Sequence, residues 1–315
     1  MPYLVNRLAL LVATLFGMLL AVFLMIHLAP GDPVQVLLGT EQEYITPEQL
    51  QSVREYFGLD RPLYQQFFAY AGRVLQGDLG TSYRVRQPVV DYVRPHLLPT
   101  VYLSLAGILV AVAIGIPAGI IAAVRRNTAA DYAALTLSIV GLSAPSFWLG
   151  LLLLYAFSFR LGWFPIMGDG TGGDFMSIVA HVTLPALVVG TSGAALIARL
   201  TRSAMLETLT QDFVRTAHAK GLRTRVVVLK HALKNAAIPV VASASTLFAY
   251  LITGSVVVEV VFSRRGLGAL MIAGINGRDF PVVQGLILIF GALIVLVNTL
   301  ADLIMGFLDP RVSYG

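Results

Sequence analysis

The sequence predicts an all-α polytopic membrane protein with six transmembrane helices, and three observations carry that expectation. Of 315 residues, 57% are hydrophobic and only 12% are Asp, Glu, Lys or Arg, whereas a soluble domain carries about 25% charged residues. The apolar residues gather into six long intervals. Basic residues gather at particular ends of those intervals, so most of the surface faces something other than water. The net charge of +5 does not point to nucleic acid, because the Lys and Arg residues border apolar runs instead of lining one polar domain. There is no cysteine, which excludes disulfides, thiolate catalysis and cysteine-ligated metals.

A helix rising 1.5 Å per residue needs roughly 20 apolar residues to cross the hydrocarbon layer. The intervals that meet this length are Leu8 to His27, Thr100 to Val124, Tyr132 to Phe159, Ile178 to Ala198, Ala236 to Val258 and Phe280 to Ala301. None contains Asp, Glu, Lys or Arg. The third has room for a span and a short extra turn. The first exceeds a signal-peptide core and is followed by Pro30, Gly31 and Asp32, with no small-x-small cleavage site. It is expected to remain as a spanning helix.

Orientation follows from the polar ends. Arg7 precedes the first span, and Arg125 and Arg126 follow the second. Between the fourth and fifth, Arg199 to Lys234 holds eight basic residues against Glu207 and Asp212, a net of six positive charges. The positive-inside tendency assigns these ends to the cytoplasm. Gly31 to Arg94, with six Arg and eight acids, and Arg160 to Ser177 then lie outside, and both termini are cytoplasmic. Arg264, Arg265 and Arg278 run mildly against this assignment. The expected organisation is an N-terminal spanning helix (1–30), an extracytoplasmic helical segment (31–98), a membrane core (99–309) with a cytoplasmic segment at 200–235, and a tail (310–315).

Within the outer segment, Thr46, Pro47 and Gln49 fit a helix start that runs to about Phe57. Asp60 is placed to cap a second helix with Leu63, Phe67, Tyr70 and Val74 on one face, ending at Gly77. A small subdomain on the outer membrane face would serve either as a packed lid or as a fit for a soluble partner. Pro117, Pro145, Pro185, Pro239 and Pro281 are tolerable in or beside spans where neighbours satisfy the freed carbonyls. Gly107, Gly115, Gly119, Gly141 and Gly150 suit close helix approach.

The inner segment is more informative. RTAHAKGL, from Arg215 to Leu222, is followed by RTRVVVLKHALKNAAIP up to Pro239. Ala217 and Ala219 are small, Gly221 permits a sharp change of direction, and helical spacing then resumes. Leu222, Val226, Leu229 and Leu233 are expected on an apolar face, with Arg223, Lys230 and Lys234 on a polar one. Such a stretch suits the lipid surface. It equally suits a lever, because a partner moving the short helix would push on the fifth span.

These residues carry a resemblance. RTAHAKGL and HALKNAAIP resemble the cytoplasmic coupling motif of inner-membrane permease subunits of peptide-type ATP-binding-cassette importers, the branch that includes nickel and glutathione importers. GDP at Gly31 to Pro33, FGLDRPLYQQF from Phe57, GDLGTSY from Gly77, VFSRRGLG from Val261 and RDFPVVQG from Arg278 are similar to the same branch. More distant permeases begin the coupling motif with Glu-Ala-Ala, where this chain has Arg215-Thr216-Ala217. The resemblance implies the type I importer permease fold (MetI-like) in a bacterial inner membrane. It also implies a related second permease, two ATP-binding cassette subunits that use ATP and Mg, and an extracytoplasmic solute-binding protein that delivers di- or oligopeptide. Arg215, Thr216, Ala217, His218, Ala219, Lys220 and Gly221 would form the coupling element. No G-x-x-x-x-G-K-[ST] loop is present to cradle nucleotide phosphates, so this chain is expected to bind no cofactor and to be no enzyme.

Other classes fit less well. An ion-driven carrier places ionisable groups near mid-membrane, whereas His181 and Glu259 are expected at the outer boundary and Asp302 at the inner one. Ser138, Ser143 and Ser146 have no histidine placed to activate them as a protease nucleophile. His27, His96, His181, His218 and His231 are scattered, so no metal site is expected. Gly141, Ser143, Ser192, Gly193 and Gly254 are candidates for a moderately wide, uncharged translocation path, or equally for packing. Nickel or glutathione is the alternative cargo within the same architecture.

Overall fold

A computed structural model of the chain describes residues 2–28, 61–170 and 174–308. The expected helix from Thr46 to Phe57, the capping role of Asp60 and the tail 310–315 lie outside them, as does the Asp302 side chain. The elements in order are α1 (Pro2–Leu28), α2 (Leu63–Leu75), α3 (Val89–Val124), α4 (Ala129–Ser143), α5 (Ser146–Leu153), which continues as a π-helix (Leu154–Arg160), and α6 (Phe175–Leu209). There follow α7 (Asp212–Ala219), α8 (Thr224–Val226) with a second π-helix (Val227–Ala232), α9 (Leu233–Gly254), α10 (Val256–Val261), α11 (Leu267–Asn276) and α12 (Phe280–Leu308).

Six uninterrupted spans are not what these residues form. Among the described residues, three helices are long and apolar enough to cross a membrane, within Val89–Val124, Phe175–Leu209 and Phe280–Leu300, and a bent pair raises the number to four. That pair occupies the expected third span, which breaks between Ala129–Ser143 and Ser146–Arg160 with a bend of 100°. The cause is local. Pro145 lacks an N–H to continue the ladder and pushes Ala144 to extended backbone (ψ 124°). The expected fifth interval is likewise interrupted, α9 ending at Gly254 and α10 starting at Val256. Within α1 and across α9 and α10, the apolar stretches Val12–Met25 and Leu247–Val261 stand out among the described residues.

The chain divides into two compact units, residues 1–97 with 270–293 and residues 98–269 with 294–315. In the first, Phe67 of α2 is buried and meets Phe16 and Phe23 of α1 edge-on, with ring centroids 5.5 Å apart in both pairs. The expected α2 face is therefore right at Phe67, Tyr70 and Val74, but Leu63 at its start is exposed. The helix closes as expected at Gly77 (φ 82°). The Gly77 N–H donates to Val74 O and the Asp78 N–H to Arg73 O, which satisfies carbonyls that the helix end would leave orphaned.

In the second unit, Leu103, Leu184, Val189, Ile197, Leu247, Leu251 and Phe262 are part of the main apolar core. α3 and α6 approach closely because Gly115 and Gly119 lack side chains. A Cβ on Gly115 would lie 2.7 Å from Ala194 O, and one on Gly119 would lie 2.6 Å from Ala198 O. Small residues four apart let the backbones touch, as membrane helices favour.

Candidate functional site

The Arg215–Gly221 motif forms α7 and its exit. After Ala219 the chain leaves through Lys220 (φ −78°, ψ 5°) and turns at Gly221, whose φ of 76° lies in the left-handed region. Two hydrogen bonds seal the turn: Gly221 N–H to His218 O at 2.9 Å and Leu222 N–H to Ala217 O at 3.3 Å. This pairing is a Schellman closure with glycine at its left-handed position. A Cβ at Gly221 would meet nothing within 4 Å, so the demand for glycine there is conformational and not steric.

The seven motif residues do not all face the same way. Ala217 is buried and packs with Val214, Val227 and Leu209 of its own chain. Arg215, Thr216, His218, Ala219 and Lys220 are exposed. Ala219 therefore offers a small, open surface, whereas the smallness of Ala217 is used internally. The Arg215–Asp212 ion pair, 3.4 Å long and open to solvent, contributes little.

The segment after Gly221 departs from the expected face. Leu222, Val226 and Leu229 are exposed, while Val227, Val228, Ala232 and Ala236 are buried. A π-turn closes i to i+5 hydrogen bonds, so residues 227–232 carry the apolar stripe round by about one position relative to an α-helix. Val228, Ala232 and Ala236 pack with Ala123 near the end of α3 and Met205 of α6. Ala217 of α7 packs on Val227 at the start of the π-helix that leads into α9.

An ion pair joins the start of α4 to the later part of α6. Arg202 Nε donates to Asp131 Oδ1 at 2.6 Å and its Nη2 to Oδ2 at 2.8 Å, while the Asn127 N–H donates to Oδ2 at 3.0 Å. At the opposite end of this unit, Glu259 is fully buried. It accepts from Thr100 Oγ1 (2.6 Å), Ser255 Oγ (3.3 Å) and the N–H groups of Gly268 (2.8 Å) and Ala269 (3.0 Å). The carboxylate expected at the outer boundary is thus held by protein donors and not by solvent. The glycines of VFSRRGLG explain the fit, since a Cβ on Gly266 would collide with the Glu259 carboxyl and one on Gly268 with Val256 Cα at 2.7 Å. Arg264 is also buried. Its Nη1 donates to His181 O at 3.1 Å, and Nη2 lies 3.6 Å from Asp169.

In the first unit, RDFPVVQG and GDLGTSY meet. Asp279 accepts from Ser82 Oγ at 2.5 Å and from the Tyr83 N–H at 3.1 Å. Burial and the Asp279 carboxylate together push the Tyr83 phenol up to about 12. Sequence reasoning missed these three acid-centred clusters: it gave Asp131 and Asp279 no role and placed Glu259 only at the outer boundary. The only signal was glycine or a small hydroxyl residue at distant positions that leave room for a carboxylate.

The candidate path residues differ in setting. Gly193 is buried, and a Cβ there would lie 3.0 Å from both Ala111 and Leu247. Ser192 is half-buried with its hydroxyl on Val189 O, while Ser143 and Gly254 are exposed. Among the described residues no three His, Asp or Glu converge as metal ligands.

Known proteins share this sequence and fold. Residues 115–314 match the family described as binding-protein-dependent transport system inner membrane component, and residues 1–105 match the N-terminal part of such membrane components. The glutathione transport system permease protein GsiC of Escherichia coli O6:H1 is 41% identical over 312 residues, covering 99% of each chain. The di/tripeptide transport system permease protein DppB of Pseudomonas aeruginosa is 41% identical over 335 aligned positions, covering 100% of this chain and 99% of that one. An inward-facing structure of the MetNI methionine ABC transporter superposes with a TM-score of 0.58 at 19% identity, over 69% of this chain and 96% of that one. At that identity the superposition speaks for the fold alone. With both family matches and full-length sequence likeness, the chain belongs to the family of binding-protein-dependent transport system inner membrane components, as a permease subunit.

Proposed function

We propose that this chain forms half of the translocation pathway of an ATP-driven importer for small peptide-like solutes. Glutathione and di- or tripeptides are the cargo class, received from an extracytoplasmic binding protein. The full-length identity to both a glutathione and a di/tripeptide permease carries this reading. It favours the glutathione alternative over a general oligopeptide importer. Longer peptides and nickel gain no such support from these two relatives.

In the proposed assembly the chain pairs with a related permease above two ATPase subunits. It crosses the membrane six times with both termini in the cytoplasm, the broken third and fifth intervals each acting as one span. α7 rests on an ATPase, with Ala219 and the exposed motif residues at the contact and Gly221 setting the angle. Ser143, Ser192, Gly193 and Gly254 lie on or behind the pathway wall. Movement of α7 passes through Val227 into α9. Reconstituting all subunits in vesicles and presenting glutathione, a dipeptide, a longer peptide and nickel in turn tests the reading. ATP-dependent uptake of glutathione or the dipeptide is expected; uptake of nickel alone, or uptake driven by an ion gradient without ATP, would reject it.

A further inference from the structure

Beside the coupling segment lies an open groove of about 400 Å³ between the end of α3 and the start of α8. Ile120, Ile121, Val124 and Leu229 give it an apolar lining, which Arg125 and Arg225 complete with charge. Ile121, Val124 and Leu229 are each nearly half exposed. Neither Arg125 nor Arg225 has a side-chain ion pair among the described residues, whereas Arg202 and Arg215 of the same unit are paired. The groove is therefore lined mostly by apolar side chains and by two arginines without an ion pair among the described residues.

Its position selects the occupant. Val124 is the last residue of the long apolar α3, and Arg125 begins the polar turn. Along a spanning helix, that transition marks the depth at which lipid chains give way to headgroups. An amphiphile with an anionic head and an apolar tail matches both parts, whereas a soluble anion leaves the walls uncovered. Basic pockets between helices at this depth suit anionic headgroups.

We infer that the groove seats one anionic phospholipid, with its phosphate between Arg125 and Arg225 and an acyl chain along Ile120, Ile121, Val124 and Leu229. Val228, which also lines the groove, belongs to the cluster with Ala123, Met205, Ala232 and Ala236. A seated lipid therefore braces the π-helix that joins the coupling segment to α9. The inference rests on the proposed topology only for which leaflet supplies the lipid.

The test is lipid retention by the full chain in detergent, equilibrated with mixed phosphatidylglycerol and phosphatidylcholine and read by native mass spectrometry. The unmodified protein should retain phosphatidylglycerol in preference. Arg125→Gln with Arg225→Gln should reduce that retention about fivefold per arginine removed, the weight of one cation at an anionic surface. Leu229→Trp, which fills the groove with the charges intact, should reduce it as well. Arg126→Gln with Arg223→Gln removes the same charge outside the groove and should leave retention within about twofold. An equal loss in that control pair means diffuse charge only, and overturns the site. Displacement by inorganic phosphate means a free-anion site, and also overturns it. So does unchanged lipid retention in the groove variants with loss of ATPase co-purification, which marks a protein dock. Gel filtration identifies any misfolded variant, and the arginine pair and Leu229→Trp are independent of each other. Micellar retention depends on neither orientation nor cargo, so its failure is distinct from failure of the transport reading.

Discussion

Glu259 and Thr100 stand 159 residues apart in the chain and are joined by a 2.6 Å hydrogen bond in a fully buried site. The same Thr100 hydroxyl accepts from the Leu267 N–H at 2.8 Å, while Glu259 accepts from the next two N–H groups of α11. One carboxylate and one hydroxyl thus satisfy three donors at a helix start, where no intrahelical acceptor exists.

Removing that carboxylate should be costly. Glu259→Ala leaves buried donors without partners, each worth about 1–3 kcal/mol. The purified protein should unfold at a clearly lower temperature in detergent, with Glu259→Gln in between because one oxygen remains. An unchanged transition in Glu259→Ala would mean that packing alone holds this corner.

Asp279→Ala should loosen the turn at Ser82 to Val85, since Ser82 Oγ and the Tyr83 N–H lose their acceptor and Ser82 Oγ in turn accepts from Val85 N–H at 3.2 Å. A loss of about 1–3 kcal/mol is expected, together with faster tryptic cleavage after Arg84. Equal cleavage rates in variant and parent would contradict the clamp.

At Gly221 only backbone conformation is at stake. A residue with a Cβ pays about 1–2 kcal/mol in the left-handed region, a roughly 5–30-fold shift against the bent form. Asn tolerates that region better than Ala, and β-branched Val tolerates it least. ATP-driven uptake in complete vesicles should fall in the order Gly221→Asn, Gly221→Ala, Gly221→Val, with insertion unchanged. Equal uptake in all three would sink the assignment of Gly221 as the coupling hinge.

Ala217 and Ala219 should fail differently. Ala217→Trp must displace Val214, Val227 or Leu209; overpacking of this kind costs about 1–3 kcal/mol and should lower the melting temperature. Ala219→Trp projects outward, so stability should hold while ATPase co-purification drops. Identical behaviour of the two would show that both act through folding.

Single cysteines can test the six-span topology cleanly because the chain has none of its own. Labels at Gln42 and Thr224 should react only from outside and only from inside, respectively. Reaction of both from one face would refute it.

The sequence by itself determined the class of this protein. Long apolar intervals without Asp, Glu, Lys or Arg admit one solvent, the lipid interior, and a run of this kind survives any detail of packing. The short helix at Asp212–Ala219 and its glycine turn were equally legible, since a left-handed turn after a short helix is a local demand that local residues must meet. Only the tertiary structure decided which face of residues 222–236 is buried, because the π-helix at Val227–Ala232 shifts the stripe that packs on Ala123 and Met205. The 100° break of the third interval follows locally from Pro145, but only the tertiary structure could bring Glu259 to Thr100, Asp279 to Ser82 and Asp131 to Arg202. Each of these pairs joins residues at least 71 positions apart. Periodicity reports which side of a helix is apolar, but the partner of a buried carboxylate is set by the path of the whole chain.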